Sequence, residues 1–560
     1  MFCKNNVHQI SLFDPINQMP KYLQDILKKS WAQTFRDYIF SSINEERFSP
    51  IYSSNASRPN SPINVIIGLL IIKEIFQQTD EELIGSLHFD VRYQYALHTT
   101  TYEKQPVSIN TLTNFRNRVI EYTETTGIDL IQIEVEALAQ VIAKHLLIDN
   151  KKVRVDSLMV SSSCKKLSRI ELVYSVNHRF IKELAEFNKN LIPKECEAYL
   201  EEGNKNETIY RTRSANTDSK LDALLKHSKS LFNVGDNSSE YIKTCESFQL
   251  LVRMLQDQTN MDENKNLSAK AGAEISSTSL QNPTDPDATF RKKYGNNTGY
   301  VANIIETFSE DTSVITGYDL KPNVYSDSKF SDDVINAIAS KKNSSDKTKV
   351  IVDGAYYEQN KAESAKKLGI ELIPSELVGR KPSTDKLSYS KFAVDKSKNI
   401  ISECPNGIKP LESHNSSKSY TAKFDKETCE KCQYKNKCPF KPQKKYNTIS
   451  VSEKRYNTEL QRAKMSLHEY IALANERAGV EGIPSVLRRR YKIDTMPIRG
   501  LLRSKLWVGF KIAAYNFKKL LAQFLSVGTN ALTSLFLAIN FIFFNKLSFY
   551  NLEAELNSAS

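Results

Sequence analysis

Two aspartates in this 560-residue chain stand where strand-forming runs end. Asp156 closes Lys152–Ser157 (KVRVDS), and Asp353 closes Lys349–Asp353 (KVIVD) just ahead of Gly354. Acids at the carboxyl ends of strands face the edge at which α/β sheets usually hold ligands. Mg2+ is a hard ion that takes oxygen donors, and two aspartates with one further carboxylate can hold two such ions. A pair of ions about 4 Å apart activates the attacking oxygen and stabilises the leaving oxygen of a phosphodiester. Glu469, Glu476 and Glu481 are candidates for the third acid, and spacing alone does not choose among them. An Asp after a strand is also a common turn or helix cap, so neither aspartate taken singly implies catalysis.

A second cluster is made of sulfur. Cys404, Cys429, Cys432 and Cys438 lie within one polar, Lys-rich segment, whereas Cys3, Cys164, Cys196 and Cys245 are scattered. Zn2+ favours four such ligands in a closed tetrahedron when its role is structural, so a structural zinc site is the expectation and free thiols the alternative. The basic run Arg488-Arg489-Arg490-Tyr491-Lys492 and the pair Arg116 and Arg118 belong to a chain of formal net charge +12. Such a balance favours polyanionic partners, because each cation that meets a phosphate releases condensed counterions. The eight histidines are dispersed. No phosphate-binding or dinucleotide fingerprint is present, so nucleotide cofactors are not expected.

These groups need elements to position them. Hydrophobic content of 40% and charged content of 25% are those of a folded chain of several structural units. Residues 1–145 read as a helical domain: an apolar run Ile63–Phe76, a second helix capped by Thr79, and a third over Ser108–Val119 bearing Arg116 and Arg118. Residues 150–375 then alternate strands and helices, interrupted by a charged helical insertion at about 165–280, which suggests a mixed α/β sheet. The expected elements are strands at Gly299–Phe308, Ser313–Leu320 and Ile370–Ile373, and helices at about Phe330–Ser340 and Glu358–Leu368. Residues 376–450 form the Cys-bearing insertion. Residues 451–530 carry two helical stretches, about 452–480 and 499–524. Residues 531–560 make an apolar terminal helix and tail, in which Asn540 and Lys546 leave the run Ala531–Phe544 short of a membrane span. The opening MFCKNNVHQISLFD lacks the apolar stretch of a secretory signal, so a cytoplasmic, nucleoid-associated location is expected.

Four local patterns, in order along nearly the whole chain, carry a resemblance. They are Arg58-Pro59 through Thr79-Asp80-Glu81-Glu82-Leu83 to Thr111-Leu112-Thr113-Asn114-Phe115-Arg116; Arg154-Val155-Asp156-Ser157; Val352-Asp353-Gly354-Ala355-Tyr356; and Arg477-Ala478-Gly479-Val480-Glu481-Gly482 with Arg499-Gly500-Leu501 and Asn516. Together they resemble the bacterial insertion-sequence DDE transposases with an RNase H-like catalytic core, in particular the branch numbered eleven-eighty-two.

The resemblance implies that Asp156, Asp353 and Glu481 are catalytic ligands of Mg2+ or Mn2+. It implies DNA as partner, both element ends and target, with the chain acting as a homo-oligomer. It also makes Arg477, Arg488, Arg489, Arg490 and Lys492 phosphate ligands beside the acids. Arg477 stands four residues before Glu481 and Arg488 seven after, while Ala474 occupies a position where the family has tyrosine. Gly482 and Pro484 predict that the glutamate helix breaks and restarts, since proline in a helix interior costs about 3 kcal/mol. The implied reaction is hydrolysis at an element end followed by attack of the freed 3′-hydroxyl on target DNA. A nuclease without strand transfer, a catalytically inactive DNA-binding copy and a membrane-anchored protein are the rival readings.

Overall fold

The computed structural model describes residues 1–525 apart from 6–13, 57, 101–104, 150, 211–215, 262–266, 293–294, 311, 342–346, 380, 382, 384 and 396. The apolar run Ala531–Phe544 and the tail lie outside the described residues. Among the described residues no helix is long and apolar enough to cross a membrane. The chain divides into two compact units: residues 1–149, 158–324 and 486 onward form the first, and residues 150–157 with 325–485 the second.

The first unit is organised around α1, Ile63–Phe76, which is apolar on every side and buried along nearly its whole length. A helix of that kind can only be a core element. Next to it lies α2, Asp80–Phe89, where Thr79 accepts from the Glu82 N–H and Glu82 reaches back to the Thr79 N–H. That reciprocal cap fixes the turn between the two helices. Beyond it come α3, Ile109–Thr126, capped by Ser108, and α4, Leu130–His145. The segment from about 165 to 280 is largely helical among the described residues. It contains α5 (Arg169–Asn188), α6 (Thr217–Asp236) and α7 (Glu246–Gln258), which pack on a core including Val173, Phe180, Leu231, Leu251 and Met254.

The ten-residue β1, Lys152–Ser161, begins in the second unit and ends in the first. Within the first unit β2 (Thr289–Lys292), β3 (Asn296–Phe308) and β4 (Ser313–Pro322) pair antiparallel in that order, and β3 is also the neighbour of β1. The close approach needs a glycine. A Cβ at Gly299 would lie 2.4 Å from the Val160 carbonyl oxygen.

A long helix over 501–525 completes this unit. The Asp285 and Asp287 carboxylates accept from the Gly500 and Leu501 N–H groups at 3.1 and 3.0 Å, satisfying donors that a helix start leaves open. Asn516 exchanges two hydrogen bonds with the Ile315 backbone of β4. Lys511 meets Glu74 at 2.6 Å with both side chains buried. A buried pair of that kind fixes register more than it adds stability.

In the second unit the first residues of β1 run parallel to β5, Thr348–Val352, and β5 runs parallel to β6, Ile370–Pro374. Two helices, α8 (Asp327–Lys341) and α9 (Gln359–Lys367), alternate with these strands. Residues 376–450, read from the sequence as a polar Cys-bearing insertion, contain regular strands. They form a hairpin of β7 (Ala393–Asp395) and β8 (Ile400–Glu403), and a sheet in the order β9-β10-β12-β11. The sheet's strands are β9 (Glu412–Ser416), β10 (Ser419–Asp425), β11 (Lys441–Pro442) and β12 (Tyr446–Ser452). Phe392, Ile401, Tyr420, Phe424, Ile449 and Val451 make their core. The chain then continues into α10 (Glu453–Met465) and α11 (His468–Ala478).

A correction concerns β1. Asp156 does not end it but sits in its middle, because apolar alternation resumes at buried Leu158 and Val160. The break expected in the glutamate helix is present. A 3-10 turn, Gly479–Glu481, follows α11, and α12, Gly482–Arg489, restarts with Pro484 in its first turn, where proline costs no hydrogen bond.

Candidate active site

Alternate residues of a strand share one face. On one face of β1 those residues are Lys152, Arg154 and Asp156, and each engages the end of α11. Lys152 Nζ donates to the Glu476 carboxylate at 2.8 Å. Arg154, buried despite its charge, donates through Nη1 to the Glu476 carbonyl at 2.6 Å. It thereby caps a carbonyl that the helix end leaves free. Gly479 leaves room for it, since a Cβ there would meet Arg154 Nη1 at 2.3 Å. Asp156 Oδ1 lies 3.5 Å from Arg477 Nη2, and Arg477 Nη1 lies 3.8 Å from Glu481. Arg477 is mostly buried, and its Nε has no acceptor among the described residues.

Asp353 directly follows the neighbouring strand, β5. The β1–β5 register pairs Arg154 with Ile351, so carrying it two residues further sets Asp156 level with Asp353. Each carboxylate accepts from the N–H of the residue after it, Ser157 to Asp156 at 2.9 Å and Gly354 to Asp353 at 2.5 Å. Gly354 is required by crowding: a Cβ would stand 2.7 Å from the Glu376 carbonyl oxygen. Burial pushes the Asp156 carboxyl above the usual range, Arg477 and the Ser157 N–H oppose the shift, and the nearby Asp353 and Glu481 charges add to it. Asp353 and Glu481 therefore both stand close enough to act on Asp156 electrostatically. Glu481 is the exposed member, with 70% of its side chain accessible.

Below them Ser157 Oγ donates to Asp327 at 3.2 Å, and Tyr356 is fully buried. Burial, and then the charges of Asp327, Asp156 and Asp353, push the Tyr356 phenol well above its ordinary value. Lys152, Arg154 and Asp327 had no functional role in the reading of the sequence. The signal that finds the first two is their period-two spacing with Asp156. Asp327 has no comparable signal, because only the fold brings it under Ser157.

The remaining basic candidates belong to the other unit. Arg488, Arg489, Arg490 and Lys492 belong to the first unit, are exposed, and Arg488 pairs with Asp494 at 3.3 Å. In the same unit Arg116 is held by Asp80 at 2.6 and 2.9 Å, whereas Arg118 is exposed with its guanidinium 5.1 Å from the centre of the Tyr52 ring.

Cys404, Cys429, Cys432 and Cys438, all free thiols, line one cavity of about 30 Å3 together with Phe424, Phe440 and Ile449. Burial raises the Cys429 thiol and pushes Cys438 up to about 11. Among the described residues no group of three or more His, Cys, Asp or Glu side chains is arranged to hold a metal ion.

Two segments match known families. Residues 403–521 match the family described as "Transposase DDE domain", and residues 24–118 match one described as "Transposase domain". The first match takes in the four cysteines, Arg477 and Glu481, and the second takes in Arg116 and Arg118. Asp156 and Asp353 lie outside both. No curated protein and no solved structure matches the chain. The two family matches support an insertion-sequence transposase of the DDE class, with DNA as its partner.

Proposed function

We propose that this chain cleaves the ends of an insertion sequence and joins them to target DNA, using Asp156, Asp353 and Glu481 on an RNase H-like core of the eleven-eighty-two branch. The observation that carries the reading is the one face of β1 that brings Asp156 level with Asp353 and, through Arg477, up to Glu481. The strand order supports the core: β4 beside β3, β3 beside β1, β1 beside β5 and β5 beside β6, with β3 and β4 antiparallel and the last two pairs parallel.

Asp156, Asp353 and Glu481 would hold Mg2+ or Mn2+. The fit is one of donor chemistry: all three offer oxygen, and the Arg477 guanidinium already stands between Asp156 and Glu481 as a cation. Divalent ions supply, when bound, activation of the attacking oxygen and charge neutralisation on the leaving oxygen. The protein's own part is orientation. The Ser157 and Gly354 N–H groups each fix the Oδ1 of the acid before them, and the same Oδ1 of Asp156 faces Arg477. Arg477 lowers the repulsion among the acids and, as a planar donor, suits a DNA phosphate. The helical domain over residues 1–145 would hold element ends, with Arg118 as a phosphate ligand. Arg488, Arg489, Arg490 and Lys492 would bind the DNA backbone, and the four cysteines would hold a structural Zn2+. The chain would work as a homo-oligomer on nucleoid DNA.

The test uses the whole chain with labelled duplex carrying the ends of its own element, in Mg2+, followed by mapping of nicks and joined products. Nicks at the element boundary and transfer to target DNA are expected, and both should be absent from Asp156→Asn and Asp353→Asn. Cleavage without joining would leave a nuclease. Binding with no cleavage would leave an inactive DNA-binding copy.

A further inference from the structure

Between residues 431 and 445 the chain carries Lys431, Lys435, Lys437, Lys441, Lys444 and Lys445 and no acidic residue. All six lysines are exposed, and none has a side-chain partner among the described residues. They are not on a loose tail. Cys432 donates to the Cys429 carbonyl, Lys435 to Cys432, and Lys437 and Cys438 to Tyr434, while Leu387 donates to the Lys437 carbonyl. The turns hold the thiols inward on their cavity and turn the lysines outward.

Edge protection explains only part of this. β11 is the outer strand of its sheet, and lysine and proline on an edge block unwanted pairing. That accounts for Lys441 and Pro442, but not for Lys431, Lys435 and Lys437 in the cysteine turns or for Lys444 and Lys445 beyond the strand. Uncompensated like charges on a rigid loop repel one another, and a polyanion relieves that repulsion.

We infer that the lysine-rich loop 431–445 is a sequence-independent binding surface for the phosphate backbone of duplex DNA, formed by lysines to which no role is assigned above. The inference rests on the transposase reading for its partner, and it gives the Cys-bearing domain the role of gripping DNA without reading bases. Lysine serves there as a point charge rather than a fork, which suits backbone contact without sequence preference.

The experiment measures affinity of the full-length chain for random-sequence duplex as a function of salt. One variant neutralises Lys431, Lys435, Lys437 and Lys444 to Gln. A control neutralises Lys182, Lys189, Lys194 and Lys226, exposed lysines of the helical insertion, giving the same change in net charge. Each phosphate contact contributes about −0.9 to the slope of log affinity against log salt. The loop variant should show a slope shallower by about 2 or more, the control should keep the wild-type slope, and restoring the four positions as Arg should recover binding. Equal loss in both variants, or none in the loop variant, overturns the inference. A wild-type chain that binds no duplex even at low salt would instead overturn the transposase reading. Thermal melts of both variants separate misfolding from lost contacts, and a misfolded Gln variant leaves the decision to Lys431→Glu and Lys437→Glu made singly. Each single Glu variant should make the slope shallower by about 0.9 or more, and unchanged slopes in both overturn the inference.

Discussion

Lys152 Nζ and the Glu476 carboxylate form an ion pair at 2.8 Å, half-exposed on both sides, so the glutamate five residues before Glu481 already has a partner. Glu481 faces Arg477 at 3.8 Å and is otherwise open to solvent. On the proposed reading the two acids therefore separate by role. Glu481→Gln should reduce Mg2+-dependent cleavage by more than about a hundredfold, since even second-sphere partners of a metal are worth ten- to a hundredfold. DNA binding and melting temperature should stay near wild type. Glu476→Gln loses only an exposed ion pair, costs less than about 1 kcal/mol, and should remain active. An active Glu481→Gln beside a dead Glu476→Gln would move the site to the other face of α11.

Asp156 gives a pH signature. Burial raises its folded carboxyl above the ordinary value of about 3.9, with Arg477 only partly opposing. Between that ordinary value and the raised one the folded chain binds more protons than the unfolded chain, so stability falls as pH rises through this window and the deficit persists at neutral pH. Asp156→Asn should therefore melt higher than wild type at pH 7 without metal, with the gap closing below about pH 4. A lower melting temperature for Asp156→Asn at pH 7 would mean that the Arg477 pair is net stabilising.

The aspartate ahead of Gly354 and the broken glutamate helix were legible because glycine and proline punctuate the chain at fixed places. Alternation of apolar residues located β3 to β6 to within a few residues. The same alternation was misread at Asp156, where a charged residue looked like a strand end; on β1 it is tolerated because Lys152, Arg154 and Arg477 make that face polar and paired. The sheet of residues 376–450 was hidden for a different reason. Its strands are short and rich in Ser, Thr and Asn, with few apolar residues to mark the buried positions, so polarity masked the period of two. Lys152 and Arg154 lay in plain view, but what they bind is 322 to 324 residues away.

Arg116 and Arg118, two residues apart on α3, should respond differently to removal. Burial works against ionisation of Asp80, yet hydrogen bonds and charge from Arg116 and Lys73 outweigh it and hold the carboxyl well below the usual range. That contribution to stability is present above the ordinary carboxylate range and is lost as pH falls through the depressed value. Arg116→Gln should cost about 1–3 kcal/mol at neutral pH, read by denaturant unfolding, through a weakened Asp80 network. Arg118→Gln should leave stability within about 0.5 kcal/mol, as surface changes do. It should make the salt dependence of element-end binding shallower by about 0.9. Equal effects of the two on binding with none on stability would place both on the phosphate.

The cysteine cavity gives the last expectation. Four thiols line a cavity of about 30 Å3, burial raises two of them, Cys429 and Cys438, and a soft cation would bind the set as thiolates, releasing protons as it binds. Freshly purified protein should carry about one zinc per chain by elemental analysis, and Cys432→Ser should lose it. The neighbouring turns, including the Cys432–Cys429 and Lys435–Cys432 hydrogen bonds, would then lose their anchor, and proteolysis should open residues 404–445 first. The β1–β5–β6 part of the second unit has its own packing of Val153, Val155, Val350, Ile351 and Ile373, so its melting transition should persist. Stoichiometric reactive thiols with no zinc in the purified chain would make the four cysteines an apolar packing cluster.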